Sequence, residues 1–288
     1  MSEILIAGVD FSGSKTIPND TWLTIGKIGS LGLEIMDVRK VGAHALGKEL
    51  SENKTIQAVG IDVPFSLPVE FLEFMAAKTL RPNYQSWQEV AEQLVFMSFE
   101  DFQALVVEFK KEPKRHCDKV LTTPAQSPLH RGYPTMVQMT FQGIRLLATI
   151  DPKRFYVLPF QSDIPFGCAV IEVYPRETLR YFNLPNTNYK AKDKKDLEKA
   201  LAIRKQITDG LVAIREKKGL TYKDFPRFSL PKRFDHLVNE SDHALDSIIA
   251  CYATAIWKTA PQLFADPLDS DNLDVLLEGW IFAPKPLA

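Results

Sequence analysis

Three apolar runs in this chain each carry a single carboxylate: Asp10 ends "ILIAGVD" (4–10), Asp62 lies in "AVGIDVP" (58–64) and Glu172 in "AVIEVYP" (169–175). Runs of this length and composition read as buried β-strands. An ionised carboxylate is costly among aliphatic side chains unless it is paired, hydrogen-bonded or bound to a cation. Three strands with this feature are therefore expected to bring their acids together. In α/β sheets, ligand sites gather beyond the carboxyl ends of the strands, where Asp10 and Asp62 fall.

The remaining pattern fits a mixed sheet. "TWLTIGKIG" (21–29) and "LEIMDVRKV" (33–41) alternate as half-exposed strands would, with a short hairpin loop between them. "AHALGKELSE" (43–52) reads as a helix crossing over to the strand at 58–68. Residues 69 to about 165 read as a large helical insertion, a cap or lid over one end of the sheet. The strand pattern then returns at 167–175, and a charged helix is expected over roughly 192–218. "SDHALDSIIACYATAIWKTA" (241–260) is apolar nearly all round, which predicts a buried helix. "LEGWIFAP" (277–284) reads as a last strand or an extended tail. No internal repeat or low-complexity linker divides the chain, so one α/β domain is expected over 1–288.

Composition narrows the function. The 288 residues are 45% hydrophobic and 25% charged with a net charge of −1, which argues against a protein that coats nucleic acid. The basic runs at 110–119 and 189–205 read as solvated helix faces. No segment approaches the roughly 20 apolar residues that span a bilayer. The N-terminus lacks a basic region, so a cytoplasmic protein is expected. Cys117, Cys168 and Cys251 are widely spaced and odd in number, which fits buried free thiols and no disulfide-linked partner.

The C-terminal helix adds further acids. Asp242 and Asp246 are four apart and share a helical face, with Ser241 or Asp242 as the expected N-cap. Several converging acids, without an arginine cluster nearby in sequence, make a repulsive field that Mg²⁺ or Mn²⁺ would relieve. Two such ions can activate a water and steady a leaving oxygen in phosphodiester hydrolysis.

The motifs "GVDFSGS", "GIDVPFSLP", "RHCDKVL", "EVYPRETLR", "NYK", "DHALDSIIACYAT" and "EGWIFAP" run in this order over nearly the whole chain. Together they resemble the bacterial and archaeal family catalogued as domain of unknown function 429, described as predicted nucleases with a ribonuclease H-like fold. The resemblance implies a five-stranded mixed sheet flanked by helices, a metal-dependent hydrolase and a nucleic-acid partner. It implies that Asp10, Glu172 and Asp246 hold the metal; Asp62, in this family's own "IDVP" motif, and Asp242, beside the helix acid, are expected to assist catalysis. His243, three residues before Asp246, matches the helix motif of resolvases of this fold and becomes a further ligand or proton carrier. Arg115 and Asp118 are expected to close over the site or to form an ion pair, and Lys190 to contact phosphate.

Two other classes compete. "DFSGSK" also resembles the first phosphate loop of the actin-like ATPase and sugar-kinase superfamily, with Ser12, Ser14 and Lys15 as phosphate contacts. No glycine follows the acid of "GIDVPFSLP" to form the second loop such an ATPase needs. A non-catalytic binding module that keeps the fold is the third class. His116, Cys117 and His130 lack the spacing of a zinc site.

Overall fold

The computed structural model describes residues 3–14, 19–132, 135–191, 193, 195–214 and 226–285. Seven strands form one mixed sheet: β1 (Ile4–Asp10), β2 (Trp22–Gly29), β3 (Gly32–Lys40), β4 (Ile56–Asp62), β5 (Phe155–Val157), β6 (Cys168–Glu172) and β7 (Phe228–Ser229), in the order β5-β6-β4-β1-β2-β3-β7. β1, β2 and β3 form an antiparallel meander, while β4 runs parallel to β1 and β6 parallel to β4. The expected five strands are thus joined by two short edge strands, β5 and β7, of three and two residues. Neither is long enough to carry a periodic signal. The "LEGWIFAP" segment is an extended tail: Ile281 makes a single parallel bridge to Glu172, and the Phe282 N–H donates to the Glu172 carbonyl at 2.8 Å.

Helices cover both faces. On one lie α1 (Ala43–Glu52), α2 (Val69–Lys78), α3 (Trp87–Phe96), α4 (Phe99–Phe109) and α6 (Val137–Thr149), with the short α5 (His116–Val120) between the last two in sequence. The helical part of the insertion therefore ends at 149, because β5 belongs to the sheet. The other face carries α7 (Pro175–Tyr181), α8 (Leu197–Ala213), α9 (Asp235–Glu240) and α10 (Asp242–Thr259), and the short α11 (Val275–Glu278) precedes the tail. Of the helix expected over 192–218, the structure shows Leu197–Ala213, and residues 192, 194 and 215–218 lie outside the described residues. Among the described residues no helix is long and apolar enough to cross a membrane.

The helix α10 is buried from Ala244 to Ile256, and two glycines explain how it can lie so close to the sheet. A methyl group added to Gly8 would fall 2.0 Å from the Cys251 backbone nitrogen, and one on Gly60 would fall 2.1 Å from Thr254 Oγ1. Only a residue without Cβ fits at either point. Ser247 Oγ, on the same helix, shares a buried 2.7 Å hydrogen bond with Thr24 Oγ1 of β2.

Gly8→Ala is expected to destabilise the protein by about 3 kcal/mol or more, the upper range for overpacking, read as a lower urea midpoint. Gly47→Ala in α1 is the contrast, since its new methyl would meet Leu146 Cδ1 at an ordinary 3.4 Å. There the helix-propensity gain of up to about 1 kcal/mol should leave stability unchanged or raise it.

Candidate active site

The parallel strands β1, β4 and β6 end at the same edge of the sheet, and their register decides where each acid points. Asp10 lies opposite Asp62, whereas Glu172 lies opposite Ile61. Residues in register share a face and successive residues alternate. Ile6, Ala58 and Ile171 accordingly pack into the core beneath α10, and Val9, Ile61 and Val170 into the core beneath the insertion. Asp10 and Asp62 thus share the α10 face, while Glu172 points to the opposite one. The expected convergence of three strand acids holds for two of them. Strand parity sends the third elsewhere.

On the α10 face the acids meet two cations. His243 Nδ1 lies 2.7 Å from Asp10 Oδ2. Asp246 is buried, with Lys190 Nζ 2.6 Å from its Oδ2 and the Tyr189 hydroxyl donating to its Oδ1 at 2.9 Å. Asp62 is half-buried and, among the described residues, has neither a hydrogen-bond partner nor an ion pair. Burial, and then the charges of Asp10 and Asp246, hold its carboxyl well above the usual range, with Lys190 opposing them. Burial likewise raises Asp246, again against Lys190. The Asp246 carboxylate keeps Lys190 firmly charged. The hydrogen bond that His243 Nδ1–H donates to Asp10 pushes the imidazole up to about 9, so it is a cation at neutral pH. Side-chain exposures of 51% for Lys190 and 39% for His243 put the open side of the site at these two cations.

Asp242 does not join this group, because its Oδ1 is drawn to Arg204 Nη2 at 3.4 Å. Arg204 is buried and donates to the carbonyls of Tyr189 (2.7 Å), Val238 (3.2 Å) and Asn239 (2.9 Å). It thereby fixes the Tyr189–Lys190 segment relative to the start of α10. Sequence reasoning missed it, since it lies in the 189–205 charged run read as a solvated face. Tyr189 was missed as well, although it is the middle residue of "NYK".

Across the sheet, Glu172 is held by Arg115 through two bonds, Nη2 to Oε1 at 2.6 Å and Nη1 to Oε2 at 2.8 Å. The Phe65 N–H adds a third at 2.9 Å. Arg115 also binds both oxygens of Asp118, Nη2 to Oδ1 at 2.8 Å and Nε to Oδ2 at 3.1 Å. Glu278 closes the network by accepting the N–H groups of Val69 and His116, each at 2.7 Å. Arg115 and Asp118 are fully buried here, so they form the structural ion pair and do not present themselves to a substrate. Both Glu172 oxygens are already engaged, so it is not a ready metal ligand.

The loop after β1 is organised by packing. Ser12 N–H donates to Thr21 Oγ1 at 2.9 Å, the Ser12 carbonyl accepts from Asn19 Nδ2 at 2.8 Å, and a Cβ on Gly13 would fall 2.3 Å from Met139 Cα in α6. Ser14 is exposed, and Lys15 lies outside the described residues. Among the described residues no group of three or more His, Cys, Asp or Glu side chains is placed to hold a metal ion. His130 is engaged by Glu112, with Nδ1 2.8 Å from Oε2. The three cysteines are buried free thiols, and burial pushes Cys168 up to about 12.

No family model, no curated protein and no solved structure matches the chain.

In the metal-free protein the His243 imidazole should titrate near 9, and Asp10→Asn should return it towards its ordinary 6.5, followed by NMR. A pKa raised on folding stabilises the protein fully below the ordinary value and loses that contribution as pH rises through the folded one. The melting temperature of the wild type should therefore fall between about pH 6.5 and 9 by more than that of Asp10→Asn. On the opposite face, Arg115→Met strands two buried carboxylates and should cost about 3–5 kcal/mol in denaturant unfolding.

Proposed function

We propose that the protein is a cytoplasmic, divalent-metal-dependent phosphodiesterase acting on nucleic acid, a nuclease of ribonuclease H-like build. The observation that carries the reading is Asp62, a half-buried carboxylate in register with Asp10 and without an ion pair or hydrogen bond among the described residues. The reading is supported by the mixed sheet, the acid that ends its first strand and the C-terminal helix that sets His243 on that acid and Asp246 within reach of its charge. The resemblance to the family catalogued as domain of unknown function 429 points the same way.

The donor set suits a hard cation. Mg²⁺ takes one or two carboxylates and completes its shell with waters and substrate phosphate oxygens, so a three-acid cage is not required. Asp10 and Asp62 would hold Mg²⁺ or Mn²⁺, with Asp246 as a third oxygen donor. When bound, the ion supplies a lowered water pKa and neutralises charge on the phosphate. The chain's own groups do the rest. Asp10 fixes the His243 ring through Nδ1, which leaves the Nε2 proton for a phosphate or leaving oxygen. Lys190 adds a second positive charge at the open side. The phosphate-loop alternative is weaker, because Ser12 and Gly13 are committed to packing.

The test is cleavage of labelled single-stranded, duplex and branched DNA and RNA with Mn²⁺ or Mg²⁺. Activity on one of these should vanish with chelator and fall at least about a hundredfold in Asp62→Asn, the scale of losing a principal electrostatic group. Cleavage that persists equally in Asp62→Asn, or none on any substrate, overturns the reading.

A further inference from the structure

An ammonium group sits on one acid of the site: Lys190 Nζ is 2.6 Å from Asp246 Oδ2, and its charge is also felt at Asp10 and Asp62. A side-chain cation therefore occupies an oxygen next to the acids that would receive a metal ion. Its attachment differs from that of His243, whose shorter side chain projects from the first turn of α10 and is held by Asp10. Lys190 follows Tyr189, whose carbonyl is fixed by the buried Arg204 at 2.7 Å. Beyond that anchor the four-carbon stem is flexible and its side chain is 51% exposed. The ammonium can leave Asp246 for water without any change in the backbone.

We infer that Lys190 is a built-in competitor for the metal site: its ammonium occupies the cation position at Asp246 and is displaced when a divalent ion enters. This inference rests on the metal-dependent reading above. It deepens that reading by assigning Lys190 two positions, one on Asp246 in the empty site and one at the mouth of the loaded site. The swap replaces one positive charge with two beside three carboxylates, so the attraction gained exceeds the attraction lost. Asp246 also keeps its Tyr189 hydrogen bond during the exchange, so its second oxygen is never stripped of its partner.

Calorimetric titration of the full chain with MnCl₂ tests this, using wild type, Lys190→Met, Lys190→Arg and Asp62→Asn. Lys190→Met should bind Mn²⁺ about tenfold or more tightly than wild type, the affinity equivalent of one charge-assisted hydrogen bond. Lys190→Arg keeps a competing cation and should stay near wild type, while Asp62→Asn should bind weakly or not at all. In parallel, amine acetylation of the wild type, mapped by peptide mass, should rise at Lys190 when Mn²⁺ is added. Near-ultraviolet circular dichroism checks that each variant is folded. If wild-type binding depends on Asp62 but Lys190→Met binds no more tightly and Lys190 labelling is unchanged, displacement is overturned while the metal reading stands. If Mn²⁺ binds neither wild type nor Lys190→Met, both are overturned.

Discussion

The close seat of α10 on β1 and β4 is the constraint from which the candidate site follows. The helix reaches the sheet because Gly8 and Gly60 present no Cβ to Cys251 and Thr254. Each glycine stands two residues before an acid, in "GVD" and "GID", so period-two alternation puts the acid on the same face, just past the point of contact. The residue that admits the helix and the residue that uses it are thus set by one short pattern. Because α10 begins at the same edge, its first turns bring His243 and Asp246 to Asp10 and Asp62. A wider helix-to-sheet gap would separate the two pairs even with every residue unchanged.

The opposite face solves a different problem with similar residues. Glu172, Asp118 and Glu278 could not remain charged in that core without Arg115 and the backbone N–H groups around them. Their bonds join β6, the loop after β4 at Phe65, the insertion at Val69 and 115–118, and Glu278 at the end of α11, parts of the chain distant in sequence. Buried ionic networks add little net stability compared with apolar packing, but removing one member is severe. Here the network fixes the position of the helical insertion over the sheet. The insertion's own large aromatic core, including Phe71, Phe102 and Phe141, supplies the adhesion.

Much of this was legible in the sequence, because apolar runs, hairpin alternation and an all-round apolar helix are local signals. β1 to β4, β6 and α10 fall close to where those signals place them. The short edge strands β5 and β7 were not legible, since two or three residues carry no period. Glu172 was misread as part of the convergent set because its direction depends on a register with β4 that no single strand encodes. The buried Arg204 was read as part of a solvated face, and for Arg115 the sequence left a substrate contact and an ion pair both open, for arginine in a charged run gives no local sign of burial. The one overlooked signal was available: glycine two places before an acid, twice, marks close helix approach.

The charge arrangement also explains why the site need not be a finished cage. Folding three bare carboxylates into one half-buried cleft would combine desolvation with mutual repulsion. Placing His243 on Asp10 and Lys190 on Asp246 neutralises two of them inside the chain, so that among the described residues only Asp62 is left without a direct partner. On the proposed reading, a site built this way folds without an ion and leaves Asp62 to attract one. Lys190 would then move from Asp246 to the mouth of the site, and His243 would stay on Asp10. Both cations are on the solvent-facing side, so the charges that make folding tolerable are the ones that would meet a phosphate.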